Sequence, residues 1–557
     1  MSEIEAKKIF EEGILKFQSK EYDSAKTLFE KALEIFPDRP SILENLAITN
    51  FFLKDYINCE KILDHLEILN VKKNNLHELR FQTYLALFEY DKIKIFCNKY
   101  KSFIDSNKRI ELQIKLLYPM TFMDQNEIDL EKKKFLENLG SIKSEATLDI
   151  NKIKINPPIF NLSYDQYNNY EINKKVVETF RKIYPDLNKD FTNNIKNKKT
   201  KIGFISEFLT NHTVGKLFKG LIFNLDNNYF DISIFHLNKT KKGPVFDEFV
   251  HKESIGYLEN IILPNNFNEQ VNVIKNKNLD IAFFPEIGLS TEVYYLSFIR
   301  FAKTQITSWG HGITTANDSI DYFISSKLLE TDGTKDDFSE KFLSLNYLPM
   351  YFYKPVIENK ISLEQSSELN NYFCSQNLIK FHPDFDNIMN EIIKKDKKAN
   401  ISIIFDERIG NKILERLKKN LKSNFEKINV LKKMNTDEYI NTCGKSSVLL
   451  DTLYFGAGNS FHESMFYGTP TVSMPTNAFK SRIVYGAYKQ MKIDKPPIVK
   501  SKDEYVEKAI EIANFDKKKL LEIKDYYRTQ AEKHLFENTN VLSEFNNCLK
   551  NLKSLDK

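Results

Sequence analysis

The stretch DTLYFGAGNSFHESMFYG, residues 451–468, carries the residue types and spacing best suited to chemistry. It reads as a strand end, a small-residue loop, a helix start and a glycine turn. Gly456 and Gly458 allow backbone amides to come close to a ligand, and the free amides that open a helix favour an anion. Asn459 and Ser460 add side-chain donors or cap the helix. Glu463, one turn in, is placed to accept two hydroxyls of a ribose. The chemistry would be the holding of a phosphate ester. The same stretch also suits a plain strand-to-helix turn, and it has neither Walker A nor GxGxxG spacing. Both readings stand at this point.

Other residues offer chemistry with the same ambiguity. His212, in LTNHTVGK, follows the apolar run IGFISEF. Its imidazole titrates near neutrality, as a general base must, or it simply caps the next helix. In SWGHGITT, Gly310 and Gly312 permit close backbone approach. His311, Thr314 and Thr315 carry hydrogen-bonding groups, and Trp309 reads as core. Pro285 and Glu286, after IAFF, suit a cleft-edge loop, with Glu286 a cleft group or a solvated one. DFD at 384–386 imitates a metal-binding DxD, but acidic residues at a helix start suit the positive end of its dipole. No metal is expected there. The five cysteines form no CxxC pair, so neither a zinc site nor a disulfide framework is indicated.

Two kinds of element must position these groups. Tyr22, Tyr56 and Tyr90 recur every 34 residues, in EYDSA, DYINC and EYDKI. With Gly13, Ala25, Phe29, Ala32 and Pro37 in the first unit, and Ala47, Cys59, Leu63 and Leu66 in the second, this is the period of tetratricopeptide repeats. The third copy is degenerate, with Ile93 at the small position. Such repeats give a partner-binding surface or a helical cap. Near residue 199 the pattern changes to short apolar runs: IGFISEF, FDISIFHL, LDIAFFPEIG, TQITSWGHG and IDYFISS. After the strand-like KFLSLNYLPMYFYKP come LIKFHPDF, NISIIFD, KINVLKKM, SVLLDTLYF and TPTVSMP. This predicts two α/β domains with mainly parallel sheets, and ligands at the carboxyl ends of their strands.

Composition limits the partners. A chain of 557 residues needs several domains. A net charge of +5, with both signs interspersed, gives no nucleic-acid stripe. No apolar run approaches the ~18 residues of a membrane span, and MSEIEAKKIF lacks an apolar signal segment. A soluble, reducing, cytoplasmic setting is expected.

Four stretches are together similar to the glycosyltransferase family of protein O-GlcNAc transferases and SPINDLY proteins, bacterial repeat-linked members above all. They are IGFISEFLTNHTVGKLFKGLI, RFAKTQITSWGHGITTANDSIDYFISS, FCSQNLIKFHPDFD and LLDTLYFGAGNSFHESMFYGTPTVSMPTNAFKSRIVYG, in family order behind the repeats. The resemblance implies an N-terminal repeat superhelix followed by a GT-B fold of two Rossmann-like halves. The expected division is 1–105 helical repeats, 106–198 helical linker, 199–355 N-terminal half, 356–535 UDP-sugar-binding half and 536–557 a C-terminal helix. It implies inverting, metal-independent transfer from a UDP-sugar, usually UDP-GlcNAc, to a protein Ser or Thr, with the repeats presenting the acceptor.

The resemblance also assigns residues. Lys380 matches a diphosphate-binding lysine, whose ammonium stabilises the charge gained by departing UDP. His212 matches a cleft histidine proposed as base or acceptor contact. Asn377 stands where the family has Gln, and Tyr439 where a residue stacks on uracil. His311 stands where relatives can have Tyr, with Thr314 and Thr315 near donor sugar or acceptor. Arg482 reads as a helix-fixing residue. Gly458-Asn459-Ser460 departs from the His-Thr-Thr of some members, which leaves the sugar open. Two competing readings are a non-catalytic repeat scaffold and a GT-B nucleotide-sugar epimerase.

Overall fold

The computed structural model describes residues 3–142, 147–192, 195, 197–238, 242–363 and 368–555. The chain forms two compact units, Met1–Ile114 with Glu407–Ile409, and Lys115–Asp406 with Gly410–Lys557. No helix among the described residues is long and apolar enough to cross a membrane.

The first unit carries three helix pairs, Glu3–Gln18 with Tyr22–Ile35, Pro40–Phe52 with Tyr56–Ile68, and Asn74–Ala86 with Tyr90–Lys99, followed by the short helices Lys101–Ser106 and Lys108–Lys115. Each recurring tyrosine opens the second helix of its pair. The small residues have the expected purpose. A Cβ on Gly13 would stand 2.6 Å from the Phe29 ring, so the helices meet only because it is absent. Ala25 and Cys59 are fully buried, and Ile93 is buried at the equivalent place. The turns repeat as well. Lys20, Lys54 and Phe88, also 34 residues apart, take left-handed φ values of 63°, 65° and 56°. Each is a side chain held where glycine is favoured, at a cost of about 1 kcal/mol.

The second unit contains two parallel sheets. The first has strands β1 (Thr200–Ser206), β2 (Phe230–Leu237), β3 (Glu259–Leu263), β4 (Ile281–Phe284), β5 (Thr304–Ser308), β6 (Tyr322–Ser326) and β7 (Lys341–Leu345). Their order is β3-β2-β1-β4-β5-β6-β7. The second has β8 (Asn370–Cys374), β9 (Ala399–Ile404), β10 (Ile428–Leu431), β11 (Val448–Leu450) and β12 (Thr471–Val472), in the order β10-β9-β8-β11-β12. Both are doubly wound Rossmann-like sheets, with order reversing between β1 and β4 and between β8 and β11. One core joins residues of both halves, such as Val214, Phe218 and Phe283 with Phe461, Met465 and Tyr488. The last helix, Thr539–Leu555, crosses back to the first half: Phe545 packs 6.3 Å from Phe283, and Lys550 pairs with Asp226 at 2.7 Å.

Two strand expectations need correction. LIKFHPDF is not a strand: Leu378–Lys380 form a 3-10 turn and Pro383 opens the helix Pro383–Lys395. Proline supplies a helix start and lacks the amide a central strand needs. The first strand of the second sheet is NNYFC, upstream. β3, ENIIL, has no counterpart among the expected strands; it is an edge strand with little burial.

Candidate active site

In a doubly wound sheet the loops leaving two strands on either side of the reversal point diverge and open a crevice. In the second sheet those loops follow β8 and β11, and Lys380 and residues 451–458 lie on them. The Lys380 ammonium donates to Gln376 Oε1 and to the Gly456 carbonyl, each at 2.9 Å, and lies 4.9 Å from the centre of the Phe455 ring. Burial lowers the Lys380 pKa to about 8, against the pull of the Asp451 carboxylate. Asn377, the expected contact, is exposed. Its Oδ1 accepts from the Ile379 amide at 3.0 Å, so it caps the turn that carries Lys380. Gln376 is the residue in the site. It accepts from Lys380 and donates to Ser460 Oγ at 2.9 Å, tying the two loops together.

Asp451 shapes the second loop from beneath. Its carboxylate is fully buried, accepting from the Ala457 amide at 2.8 Å and Ser473 Oγ at 2.6 Å, and burial raises its pKa to about 6. Gly456 sits in tight space: an added Cβ would lie 3.1 Å from Asp451 Oδ2 and 3.3 Å from the Ser481 carbonyl. Beside Gly458 an added Cβ would meet nothing within 4 Å. The following helix, Asn459–Ser464, has six residues, so Lys380 carries the positive charge of this wall rather than a helix dipole. Asn459 corrects an expectation. Its Nδ2 donates one N–H to the Thr213 carbonyl at 3.1 Å, so part of its donor capacity is spent within the protein; its Oδ1 is buried without a protein partner. Tyr439 is also corrected. Its ring is buried in an apolar cluster with Phe373, Ile440 and Cys443, leaving no face for a base. Its hydroxyl donates to the Ser460 carbonyl at 2.9 Å and supports the loop from behind.

The opposite wall belongs to the first half. His212 follows β1 and caps the helix Thr213–Ile222. Its Nδ1 accepts from the Val214 amide at 3.3 Å, and its ring stacks on Phe208 with centroids 4.4 Å apart. That bond places the neutral ring's proton on Nε2, so the free edge presents a donor. Burial, with the Lys216 ammonium nearby, lowers its pKa to about 4. Beneath it, Glu286 is neither solvated nor at a cleft edge but fully buried after β4. It accepts from Ser206 Oγ at 2.7 Å and the Glu207 amide at 3.0 Å, and burial raises its pKa to about 8. Ser206 Oγ in turn accepts from the Phe208 amide at 2.9 Å, so this carboxyl supports the loop holding His212. Glu463 faces Lys216 across the two halves at 2.6 Å.

The polar side chains of the 309–315 loop are spent on internal bonds. His311 is buried, with Nε2 2.9 Å from Ser163 Oγ and its ring stacked near Phe160. Thr314 Oγ1 donates to Glu340 Oε2 at 2.8 Å. The Thr315 hydroxyl donates to Glu340 Oε1, which also accepts from the Thr315 amide at 2.8 Å. These hydroxyls satisfy a buried carboxylate and are not available to substrate. Trp309 is core, donating to the Pro349 carbonyl at 3.1 Å. Arg482 donates to the Leu329 carbonyl at 2.7 Å and fixes its helix start. In DFD, Asp386 pairs with buried Arg416 at 2.8 Å and Asp384 with Lys502 at 3.0 Å, so both carboxylates are committed at the helix start.

No protein-family model and no curated protein matches the sequence. Solved structures do. A variant of the Thermobaculum terrenum O-GlcNAc transferase matches over 98% of this chain and 96% of its own, with TM-score 0.67 and 14% identity. A Rickettsia africae glycosyltransferase matches 64% of this chain and 98% of its own, with TM-score 0.41 and 13% identity. Anabaena HepE, solved with UDP and glucose, matches 64% and 100%, with TM-score 0.40 and 10% identity. The resemblance in the sequence motifs is thus met at the level of architecture: helical repeats followed by the GT-B fold of glycosyltransferases.

Proposed function

We propose that the protein is an inverting glycosyltransferase that moves a sugar, GlcNAc foremost, from a UDP-sugar to a Ser or Thr hydroxyl of a protein. The observation that carries this reading is the half-buried Lys380 ammonium, braced by Gln376 and Gly456 at the reversal point of the second sheet. An acceptor oxygen attacks C1 of the sugar as the bond from C1 to the β-phosphate oxygen breaks. The electron pair leaves on UDP. Lys380, inside a low-dielectric wall, stabilises that charge more in the transition state than before it, the task a divalent metal performs elsewhere. The hydroxyl proton leaves to water. His212 takes it only if the ring turns its bare nitrogen from the Val214 amide to the cleft; as placed, it donates from Nε2. The helical repeats bind the acceptor protein.

The test is incubation of the purified protein with labelled UDP-GlcNAc, UDP-Glc and UDP-Gal in host lysate, with Lys380→Met as control. Label on protein from wild type alone supports the reading. Free sugar or an epimer without acceptor labelling points to an epimerase. Partner capture without any turnover points to a scaffold.

A further inference from the structure

The helix Thr213–Ile222 of the first half and the helix Asn459–Ser464 of the second are joined by two polar contacts. Lys216 Nζ lies 2.6 Å from Glu463 Oε1, and Asn459 Nδ2 donates to the Thr213 carbonyl at 3.1 Å. Each links a residue of the helix after the glycine loop to the helix that His212 caps. The Glu463 side chain is 13% exposed and Lys216 32%. A carboxylate that is to accept two hydroxyls at once needs a fixed geometry. The pairing also fixes which carboxylate oxygen is left for a ligand: Lys216 engages Oε1. Among the described residues, the counter-charge on Glu463, Lys216, comes from the first half.

We propose that Lys216 is a positioning residue. It holds the Glu463 carboxylate ready to accept from the ribose hydroxyls, so that the first half takes part in selecting a ribonucleotide. This rests on the nucleotide-binding reading above. It adds that the Lys216–Glu463 pair, rather than Glu463 alone, distinguishes ribose from deoxyribose.

The experiment is calorimetric titration of the full chain with UDP and with 2′-deoxy-UDP, in wild type, Lys216→Met, Lys216→Arg and Glu463→Gln. Wild type should prefer UDP by about tenfold or more, the value of hydroxyl contacts to an ionised group. Glu463→Gln should lose the preference, Lys216→Met most of it, and Lys216→Arg should retain it. Met keeps the aliphatic stem, and the arginine variant shows whether charge or packing is responsible. A Lys216→Met protein with the full wild-type preference overturns the proposal. Equal wild-type affinity for both ligands overturns it too, while leaving nucleotide binding in place. Wild type that binds neither ligand overturns the nucleotide reading itself, and the proposal with it.

Discussion

Two loops of this molecule look alike in sequence and differ in what they leave free. Residues 451–460 follow β11, and 309–315 follow β5. Both combine glycines with hydroxyl or amide side chains at the carboxyl end of a parallel strand. In the first, the polar groups are braced from behind by Asp451, Tyr439 and Gln376, while Asn459 Oδ1 has no protein partner. In the second, Thr314 and Thr315 turn inward to a single buried carboxylate, Glu340. A loop's composition tells what it can bond; only its internal partners tell whether it has already done so.

The largest effect should come from Lys380→Met. Single-turnover transfer from a labelled UDP-sugar should fall about a hundredfold to a thousandfold, as for loss of one preorganised charge-stabilising donor. Stability should move the other way. Burial disfavours the Lys380 ammonium, so an apolar chain of similar length should raise the thermal midpoint. A variant that is inactive and destabilised would instead make Lys380 a structural residue, and the two loops would then be alike.

Glu340→Ala should give the complementary result. It orphans the Thr314 and Thr315 hydroxyls and the Thr315 amide, and should cost about 3 kcal/mol in urea unfolding. UDP affinity, measured on the protein that remains folded, should stay within about twofold. A large loss of UDP affinity would place the 309–315 loop back in the site.

Dependence on pH separates the two walls. Lys380, with a pKa lowered to about 8, loses its charge as pH rises through that value. UDP affinity should therefore fall above pH 8, by up to about tenfold per unit. His212 has its folded pKa lowered to about 4. Between that value and its ordinary one the unfolded chain binds more protons, so acidification through this window destabilises the fold. His311 and His462, buried with pKa values lowered to about 4, act with the same sign. Glu286 has the opposite origin. Its raised pKa gives stability that is full below the ordinary carboxyl value and is lost as pH rises through about 8. Glu286→Gln, which cannot ionise, should remove that loss. Urea midpoints at pH 5, 7 and 9 check it, and an unchanged fall between pH 5 and 9 in the variant would exclude Glu286 as its source.

Most of the architecture was legible because it is periodic. The 34-residue recurrence of tyrosine predicted the helix pairs, and apolar runs predicted most strands of both sheets. The failures have local causes. NNYFC carries two asparagines and looks too polar for a strand, whereas LIKFHPDF looks apolar but contains the proline that starts a helix. In the site, the Gly456 loop and Lys380 are brought together as expected. Gln376 gave no signal, one amide in a polar run, and its importance comes from Ser460, 84 residues away. Asn459 was read as a donor because its type allows it; the Thr213 carbonyl, 246 residues distant, takes one of its two N–H groups. Partner choice of this kind is set by folding, and no local pattern encodes it.

The smallest effect sharpens the comparison within the nucleotide loop itself. Gly456 and Gly458 are two residues apart, yet only one is confined. A side chain at Gly456 would press on Asp451 Oδ2 and the Ser481 carbonyl, while one at Gly458 would enter open space. Gly456→Ser should therefore cost about 1–3 kcal/mol, the usual result of overpacking, and weaken UDP binding by distorting the carbonyl that holds Lys380. Gly458→Ser should leave stability within about 0.5 kcal/mol, because serine suits the position before a helix as well as glycine does. Since the loop then keeps its shape, any change in preference between UDP-GlcNAc, UDP-Glc and UDP-Gal in Gly458→Ser comes from the filled space and not from a disturbed diphosphate site. Equal penalties at the two positions would mean that the loop needs glycine for backbone freedom throughout, and that the space beside Gly458 plays no part in choosing the sugar.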